Sequence, residues 1–341
     1  MLGTEENRTI LVTGGAGYIG SHVCRALASS GYRPVVYDNL SQGHAWSARW
    51  GVLEVGDVLD QPRLETVIRQ HAPHAVIHLA GLIAAGDSVA DPIPYYRNNL
   101  MGTLSLLEAM RSCSVHRLVF SSTAGVYGEP EQVPITEEHP LRPVNPYGAT
   151  KMMAERLIAD AAPAFGLRSV ALRYFNAVGA APEDGIGEAH QKETHLLPLV
   201  LDAAAGLRPF IEIYGGDFPT PDGSCIRDFV HVCDLADAHL LALAYMERTP
   251  GPEVFNLGSE TAASVREVIE TARRVTGGII EVRQQSRRLG DPAVLVADSS
   301  RARRLLGWCP GFANLEQQIA TAWEWHQRYH LAEERRAAVA L

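Results

Sequence analysis

The chain has 341 residues, 46% of them hydrophobic, which is enough for one large or two associated globular domains and argues against disorder. Its net charge of -9 gives no overall basic field, which excludes general binding to nucleic acid or to an anionic membrane surface. The polar, acidic N-terminus does not resemble a secretory signal, no apolar run is long enough to span a bilayer, and the five cysteines lack CxxC spacing. We therefore predict a cytoplasmic protein with reduced thiols.

Short β-rich runs alternate with amphipathic helical segments from Thr9 to about Tyr174. This alternation, with nearly all-apolar strands, predicts an α/β protein of Rossmann type, a doubly wound parallel sheet covered by helices on both faces. The predicted strands are 9–13, 34–37, 52–55, 75–79, 117–120 and 169–174, and the predicted helices are 18–30, 61–70, 94–111 and 146–165.

The pattern changes after Asn176. Glycine, proline and aspartate are frequent over residues 177–228, which indicates turns rather than another strand and helix unit. Further elements are predicted as a helix at 234–246, a strand at 253–257 that rejoins the sheet, a helix at 265–275 opened by a Ser264 and Glu267 capping box, a strand at 279–282 and a closing helix at 314–328. We therefore predict a dinucleotide-binding domain over 1–176, with a return strand near 253–258, and a smaller interleaved α/β lobe over 177–341.

A glycine-rich turn follows the first strand. Gly14, Gly17 and Gly20 have Gly-x-x-Gly-x-x-Gly spacing where a helix begins. Glycines permit the tight turn, and the free N–H groups of a helix N-terminus bind a pyrophosphate. Glycines also serve ordinary turns, but the strand before and the amphipathic helix after them favour a dinucleotide cofactor.

A carboxylate ends the second predicted strand. Asp38, eighteen residues after Gly20, is placed to accept hydrogen bonds from a ribose diol and to repel a 2′-phosphate, which favours NAD over NADP. The alternative is an aspartate that only stabilises the turn at the strand end. Asp57, after the third strand, is placed to reach the adenine, with an ordinary turn again as the alternative.

Tyr147 and Lys151 lie four residues apart in NPYGATK, which begins a predicted helix. Side chains at that spacing share one helix face, and an ammonium beside a phenol favours the phenolate, so this tyrosine is a candidate base near neutral pH. By itself the pair also fits a surface contact on an amphipathic helix. The preceding strand and loop supply a hydroxyl at Thr123.

Together these motifs resemble the extended short-chain dehydrogenase/reductase superfamily and, more closely, its UDP-glucose (UDP-galactose) 4-epimerase family. The glycine motif and NPYGATK mark the superfamily, and the other motifs, in this order, narrow it to the epimerases. The resemblance runs almost from end to end. Its segments are TGGAGYIGSH (13–22), YDNL (37–40), HLAGLIA (78–84), YYRNNL (95–100), NPYGATK (145–151), RYFNAVG (173–179) and RDFVHV (227–232).

The resemblance implies a reversible oxidation at the sugar C4 with tightly bound NAD and no net redox change. Tyr147 would take the proton of the 4-hydroxyl, Lys151 would hold the nicotinamide ribose and lower the tyrosine pKa, and Thr123 would hydrogen-bond the same oxygen. The 4-keto sugar would turn over in the pocket and receive the hydride on its other face, which interconverts UDP-glucose and UDP-galactose. A UDP-sugar is the implied ligand, and a homodimer is the implied assembly.

Further positions match ligand contacts of the family one by one. Cofactor contacts are implied for Gly14, Gly17, Tyr18, Ile19, Gly20, Asp38, Asn39, Leu40, Asp57, Val58, Leu79, Ala80, Gly81, Asn99, Tyr147, Lys151 and Phe175. Substrate contacts are implied for Thr123, Asn176, His195, Leu196, Tyr214, Arg227, Arg288, Asp291 and Leu295. The two arginines suit a diphosphate bound by an acidic protein, although their acidic neighbours also fit surface ion pairs.

Three positions depart from the family pattern. Ile83 stands where many members have a lysine, which removes one polar cofactor contact. Thr123 replaces the commoner serine and keeps the hydroxyl. Leu295 falls where a tyrosine or a smaller residue decides whether a 2-acetamido sugar fits, and leucine, intermediate in size, leaves N-acetylated substrates open.

Other functions of this fold stay as alternatives. Another NAD-dependent nucleotide-sugar enzyme of the 4,6-dehydratase or decarboxylase type is one, but a dehydratase has acid and base residues directly after Thr123, where this chain has Ala124 and Gly125. A non-catalytic NAD-binding sensor is another, and such modules tend to lose the tyrosine or the lysine. The thirteen histidines show no HExxH or Cys/His ligand spacing, so no metal site is predicted. We assign His78, His195 and His231 to structural or rim positions.

Overall fold

The computed structural model describes residues 8–288 and 290–339. Its strands are β1 (Thr9–Thr13), β2 (Arg33–Asp38), β3 (Val52–Val55), β4 (Ala75–His78), β5 (Arg117–Thr123), β6 (Arg168–Tyr174), β7 (Asn176–Val178), β8 (Ile211–Tyr214), β9 (Ile226–His231), β10 (Pro252–Leu257), β11 (Ala262–Ser264), β12 (Val282–Gln285) and β13 (Val294–Leu295). Its α-helices are α1 (Tyr18–Ser29), α2 (Gln61–His71), α3 (Ala85–Ala90), α4 (Ile93–Tyr95), α5 (Gly102–Ser112), α6 (Pro146–Phe165), α7 (Leu196–Ala204), α8 (Val232–Arg248), α9 (Val265–Thr276), α10 (Ser300–Leu306) and α11 (Leu315–Val339). A π-helical turn, Tyr96–Met101, joins α4 to α5.

A parallel sheet of seven strands forms the centre of the first half. Its order is β10-β6-β5-β4-β1-β2-β3, so the chain runs outward from β1 in one direction and then returns to build the other side. β10 pairs in parallel with β6, with Pro252 opposite Ser169, which confirms that the late strand rejoins the sheet. The predicted α/β fold class is confirmed by this sheet.

Helices cover both faces because successive strand residues point to opposite sides. Ile10 and Val12 of β1 pack into a core with residues of α1 and α8, whereas Leu11 between them packs into a second core. That second core is completed by α2, α5 and α6. Both faces are buried, which explains the continuous apolar runs of the strands.

The second lobe contains two small sheets. In the first, β9 lies between β11 and β13 and also pairs with β7, and in the second β8 pairs in parallel with β12. Apolar residues of α7, α9 and α11 pack with these strands in a separate core. The chain enters this lobe directly from the sheet, because β7 begins two residues after β6 ends.

The second lobe differs from its prediction in three places. The stretch 177–228, predicted as turns, contains α7, β8 and the first half of β9. The strand predicted at 279–282 lies at 282–285, because Val282 pairs with Ile211 in β8. The last helix starts at Leu315 and extends beyond the predicted residue 328. The capping box at Ser264 and Glu267 is confirmed.

A separate property concerns membranes. Among the helices of the described residues, none combines the length and the apolar character that crossing a bilayer requires.

Candidate active site

The turn after β1 lies against the end of β4. Gly14 has a φ of 72°, and a Cβ at this position would lie 2.6 Å from the backbone nitrogen of Ala80. Glycine meets both conditions without strain. A Cβ on Gly20 would lie 2.1 Å from the carbonyl oxygen of Gly14, so the first turn of α1 packs directly on this turn. The glycine spacing therefore places the start of α1 at the carboxyl edge of the sheet.

The N-terminus of α1 faces open space. Gly17 is its N-cap, and among the described residues no side chain caps this end. A Cβ on Gly17 would meet the Gly14 carbonyl oxygen at 3.3 Å and nothing nearer. The N–H groups of the first helical turn, together with the helix dipole, suit an anionic group such as a pyrophosphate.

Asp38 ends β2 beside this turn. Its carboxylate accepts the N–H of Ala16 at 3.0 Å and the N–H of Leu40 at 2.8 Å, one on each oxygen. Burial raises the pKa of Asp38, and the two backbone donors act in the opposite direction. Because each carboxylate oxygen accepts more than one hydrogen bond, the side chain is held in place and can still accept a ribose diol.

Asn39 and Asp57 are joined across the next strand. The Asn39 Nδ2 donates to Asp57 Oδ2 at 2.9 Å, and the backbone of Leu59 donates to the other carboxylate oxygen at 2.9 Å. The turn role of Asp57 is confirmed by these hydrogen bonds, and its adenine contact stays a prediction.

Asn99 fixes the loop that follows β4. Its amide accepts the Leu82 N–H at 2.8 Å and donates to the Leu82 carbonyl oxygen at 2.9 Å. Ile83 is next in this loop and is 41% exposed, so the position where the family has a lysine offers an apolar side chain to solvent. A Cβ on Gly81 would lie 3.3 Å from Asn99 Oδ1 and 3.4 Å from Lys151 Nζ. The loop therefore meets the lysine of α6.

The remaining cofactor positions border the same edge of the sheet. Tyr18 is half-buried, and its hydroxyl donates to the carbonyl oxygen of Gly179 at 2.6 Å, which connects α1 to the second lobe. The others follow successive elements of the sheet: Ile19 in α1, Leu40 after β2, Val58 after β3, Leu79 and Ala80 after β4, and Phe175 after β6.

Tyr147 lies in the first turn of α6 beside the end of β5. Asn145 caps this helix by accepting the Gly148 N–H at 2.9 Å. A Cβ on Gly148 would lie 2.3 Å from the carbonyl oxygen of Gly125, so α6 begins in direct contact with the segment after β5. This contact brings the phenol near Thr123, whose hydroxyl acts to lower the pKa of the phenol.

The pKa of Tyr147 is raised above its ordinary value. Burial is the largest cause, the hydrogen bond of Thr123 acts in the opposite direction, and Tyr95 raises the pKa further. The lysine one turn later donates to the Ser121 carbonyl oxygen at 2.8 Å. Burial therefore outweighs the influence of Thr123, and the lowering of the tyrosine pKa by Lys151 in the enzyme with bound NAD stays a prediction.

Lys151 is only 4% exposed. Burial lowers its pKa to about 8, and the negative charge of Glu155 acts against that shift. Its ammonium lies 4.9 Å from the centre of the Phe120 ring. A buried lysine without a carboxylate in direct contact is uncommon in a structural role and common at functional sites.

Glu155 belongs to a buried network beneath this lysine, and it was not predicted from the sequence. The Arg173 guanidinium donates to Glu155 at 2.9 and 2.6 Å, and the two side chains are 5% and 8% exposed. The Ser122 hydroxyl also donates to Glu155, and Arg173 donates to the Tyr127 hydroxyl at 2.8 Å. The one sequence signal for the role of Glu155 was its position four residues after Lys151, which places both side chains on the same helix face.

Three predicted substrate positions lie on adjacent strands of the second lobe. Asn176 begins β7, which pairs with β9, and Arg227 of β9 lies opposite Leu295 of β13. Arg227 donates to Asp291 at 2.9 Å and to the Pro292 carbonyl oxygen at 2.9 Å. Arg227 and Asp291, which were both predicted to contact the substrate, therefore form an ion pair with each other.

Asp228, the acidic neighbour of Arg227, has a structural role instead. It is fully buried and accepts N–H bonds from Ser259 at 2.7 Å and Ala297 at 3.1 Å. The alternative of a surface pair between Arg227 and Asp228 is therefore wrong.

Tyr214 and Arg288 form a second pair of predicted substrate residues. The guanidinium carbon lies 3.6 Å from the centre of the tyrosine ring, and the ring hydroxyl donates to Glu212 at 2.7 Å. Arg288 is exposed. This stack offers a flat, positively charged surface that suits a nucleotide.

His195 and Leu196 begin α7, with His195 as the N-cap. The imidazole of His195 contacts Glu188 and lies near His190 and Glu193, a group that was not predicted to come together. The other two histidines assigned structural positions make hydrogen bonds inside the protein: His78 with Thr13 at 2.6 Å, and His231 with Thr321 at 3.0 Å.

These residues fit a dinucleotide in the first half of the site. The uncapped start of α1, the oriented carboxylate of Asp38 and the buried ammonium of Lys151 all lie along the carboxyl edge of one parallel sheet. That edge is where open α/β sheets bind their ligands.

Comparisons with known proteins agree with this geometry. A family model described as the NAD dependent epimerase/dehydratase family matches residues 10–258. A curated UDP-glucose 4-epimerase of Rhizobium leguminosarum bv. trifolii is 48% identical over 320 residues, which cover 94% of this chain and 98% of that protein.

Solved structures of similar proteins have the same fold. The UDP-glucose 4-epimerase of Brucella ovis in complex with NAD is 48% identical with a TM-score of 0.90, and the match covers 93% of this chain and 97% of that one. The UDP-glucose 4-epimerase of Bifidobacterium longum in complex with NAD+ and UDP is 38% identical with a TM-score of 0.90, covering 94% and 98%.

Proposed function

The chain belongs to the NAD dependent epimerase/dehydratase family, and we propose that Tyr147, Lys151 and Thr123 are its catalytic residues. The protein interconverts UDP-glucose and UDP-galactose in an NAD-dependent reaction. The observation that carries the assignment of roles is the position of Tyr147, near Thr123 and one helical turn before a buried lysine, at the edge of the sheet that fits a dinucleotide.

Residues of the first half would hold the cofactor. The N-terminus of α1 would bind the pyrophosphate, Asp38 the adenosine ribose and Lys151 the nicotinamide ribose. The chemistry that NAD supplies when bound is acceptance and return of a hydride at the sugar C4.

Side chains of the protein carry out the proton transfers. Tyr147 takes the proton of the sugar 4-hydroxyl and later returns it. Thr123 would hydrogen-bond the phenolic oxygen of Tyr147 during both proton transfers. A phenol with a raised pKa needs a nearby positive charge to reach the phenolate, and Lys151 supplies that charge from the same helix face. Burial lowers the pKa of Lys151 to about 8, so the charged ammonium is still the main form below that pH.

The second lobe would bind the nucleotide diphosphate and the sugar. Arg227 and Arg288 provide guanidinium donors for the diphosphate, which requires Arg227 to exchange part of its bond with Asp291 for the ligand. Tyr214 offers its ring to the nucleotide, and Asn176 and Leu295 border the sugar. Leu295 packs with the cluster that contains Ala124 and Phe175, next to the catalytic threonine.

Substituting the tyrosine tests the catalytic assignment. Tyr147→Phe should lower turnover of UDP-galactose by about 10²- to 10⁴-fold, the usual contribution of general acid–base catalysis, while the bound NAD content stays the same. The matched control is Tyr245→Phe, because this tyrosine of α8 packs edge-on against Phe255 and should leave turnover nearly unchanged. A Tyr147→Phe enzyme with most of its activity would overturn the mechanism.

A substrate assay without added cofactor tests the ligand assignment. Purified protein incubated with UDP-galactose should form UDP-glucose without external NAD, because the reaction has no net redox change and the cofactor stays bound. Parallel incubation with UDP-N-acetylgalactosamine decides whether Leu295 admits the larger sugar. Dependence on a continuous external oxidant would contradict the proposal.

The division of the chain follows the hydrophobic cores. We propose that residues 1–176, with β10 returning to the sheet, are the NAD-binding domain and that residues 177–341 are the smaller substrate lobe, where residues 1–7, 289, 340 and 341 lie outside the described residues. The separate core of α7, α9 and α11 supports this division. α8 belongs to the second segment by sequence and packs on the large sheet, so the two units interleave.

A homodimer would use the face formed by α3, α4 and α6, which pack on one another. The apolar side chains of Val89 in α3, Ile93 in α4 and Met153 in α6, and of Met101 in the adjoining π-helical turn, are 56%, 63%, 39% and 50% exposed, and exposed apolar side chains on packed helices indicate an interface. Sedimentation should show a dimer that Ile93→Glu dissociates and that Ile279→Glu, at a position 89% exposed elsewhere, leaves intact. A monomeric wild type contradicts this assembly.

The protein would act in the cytoplasm. All five cysteines are free thiols in the structure, as expected for a reducing compartment.

A further inference from the structure

Two carboxylates and two imidazoles converge in the segment that leads into α7. The ligand-type atoms of Glu188, His190, Glu193 and His195 all lie within 4.8 Å of one another. His190 Nδ1 is 3.3 Å from Glu188 Oε1 and 3.2 Å from Glu193 Oε2. His195 Nδ1 is 3.9 Å from Glu193 Oε1 and makes a closer contact with Glu188 Oε1.

Three of these separations are close to the edges of a tetrahedral metal site, and the His195 contact with Glu188 is shorter than such an edge. Nitrogen and carboxylate oxygen ligands of Zn²⁺ lie at about 2.0–2.2 Å, which places neighbouring ligands about 3.3–3.6 Å apart. The separations of His190 from both carboxylates are at the lower end of this range, and that of His195 from Glu193 is slightly above it. To bring the four donors to one central point, the His195 ring would move away from Glu188 Oε1 and toward Glu193.

The group is largely shielded from water. The side chains of Glu188, His190 and Glu193 are 8%, 14% and 14% exposed, and that of His195 is 41% exposed. Carboxylates this buried require compensating positive charge. Protonated imidazoles provide it as ion pairs, and a dication with two neutral imidazoles provides the same net charge.

The segment is also held in place from outside the group. The Trp325 indole donates to the Glu188 carbonyl oxygen at 3.1 Å, and the His44 ring hydrogen-bonds the Ala189 carbonyl oxygen at 2.6 Å. The Glu193 carboxylate accepts the N–H of Thr194 at 2.7 Å through Oε1, which leaves Oε2 facing His190. Such contacts orient ligands before a metal binds.

We propose that Glu188, His190, Glu193 and His195 form a binding site for one divalent cation with the preferences of Zn²⁺. Two imidazoles and two carboxylates suit zinc among common cations, whereas calcium and magnesium prefer oxygen ligands alone. Binding exchanges two imidazolium protons for one dication and joins the segment before α7 into a single rigid unit. The unit connects parts of the chain that are far apart in sequence, because it contacts Trp325 of α11 and His44 of the first domain.

A second group of ligand-type residues provides a matched control. Asp202, His326 and His330 also place their ligand atoms within 4.8 Å of one another, but they offer a single carboxylate and three ligands. If substitutions in the first group weaken metal binding and substitutions in the second group do not, the first group is the binding site.

Calorimetric titration of the NAD-containing protein with ZnCl2 tests the proposal. We expect one saturable site per chain in the wild type, a loss of affinity of more than about 100-fold in His190→Gln with Glu193→Gln, and unchanged affinity in His326→Gln. Equal affinity in the wild type and the first variant, or loss only in the second, would overturn the proposal. So would the absence of a saturable site in the wild type.

Cobalt provides a measurement that needs no variant. Titration of the wild-type protein with CoCl2 should produce the intense visible absorption of tetrahedral Co²⁺, saturating at one ion per chain and removed by competing ZnCl2. Only the weak absorption of octahedral Co²⁺ would contradict the four-ligand site. In that case the four side chains act as a network of ion pairs.

Discussion

The dinucleotide half and the second lobe hold their polar groups in different ways. Thr123 ends a long strand of the central sheet, and Lys151 lies on a long helix that packs on that sheet. The side chain of Lys151 is 4% exposed. Arg227 and Leu295 lie on short strands of a small sheet, and Arg288 is exposed. Groups that transfer protons need a fixed, dry position, whereas groups that bind a large ligand need access from solvent.

The charges of the two regions differ for the same reason. Glu155, four residues after Lys151 on the same helix, is paired with Arg173, and burial lowers the pKa of Lys151 to about 8. Arg227 pairs directly with Asp291. Burial without a direct partner makes a group reactive, and a direct partner keeps a group charged until a ligand replaces that partner.

The largest expected effect is in the buried network of the first half. Glu155→Leu should destabilise the protein by about 3–5 kcal/mol, because Arg173 would remain buried without its carboxylate. Urea unfolding with equal NAD content measures the change. In the double variant with Arg173→Leu most of the stability should return. If Glu155→Leu alone is as stable as the wild type, the buried pair does not distinguish the first half from the second lobe.

Lys151→Met should have the next largest effect, and in the opposite direction. The folded-state pKa is about 8 and the ordinary value is 10.5, so below pH 8 the protein carries the full cost of a buried ammonium, on the order of 3 kcal/mol. That cost shrinks as the pH rises from 8 to 10.5, because the folded lysine is already neutral there. The variant should therefore gain stability at pH 7, gain less at pH 10, and lose turnover.

The control for this prediction is Lys192→Met. Lys192 is 74% exposed and forms a surface ion pair with Asp87, so its removal should change stability by less than about 1 kcal/mol at either pH. A gain in Lys151→Met that does not depend on pH would show that packing, and not charge, causes it.

In the second lobe Arg227→Lys should weaken substrate binding and spare the chemistry. Lysine keeps the charge and loses the planar pair of donors, so KM for UDP-galactose should rise about tenfold with little change in kcat. Steady-state kinetics together with UDP binding measure the effect. A fall in kcat at constant KM would place Arg227 with the catalytic group instead.

The smallest expected effect is one of selectivity. Leu295→Tyr should lower the rate on UDP-N-acetylgalactosamine relative to UDP-galactose by about tenfold, because a larger side chain fills space beside the sugar. Leu295→Met keeps the volume and should leave the ratio unchanged. An unchanged ratio in the tyrosine variant as well would separate Leu295 from substrate choice.

The sequence by itself determined the features that depend on neighbouring residues. The strands at 9–13 and 52–55, the helix at 146–165 and the capping box at Ser264 follow from local periodicity and local hydrogen bonds. The glycine turn was recognisable because its requirements are local. Gly14 has a positive φ, and a Cβ on Gly20 would lie 2.1 Å from the Gly14 carbonyl oxygen only six residues earlier.

Tertiary structure decided what depends on partners far along the chain. β12 takes its position from β8, some seventy residues earlier, and the cluster before α7 is assembled by contacts with Trp325 and His44. Glu155 gains its role from Arg173, and the pKa of Tyr147 rises because distant segments bury the phenol. Spacing identifies which side chains share a local face, but burial and pairing between distant segments set their charge, and with it their chemistry.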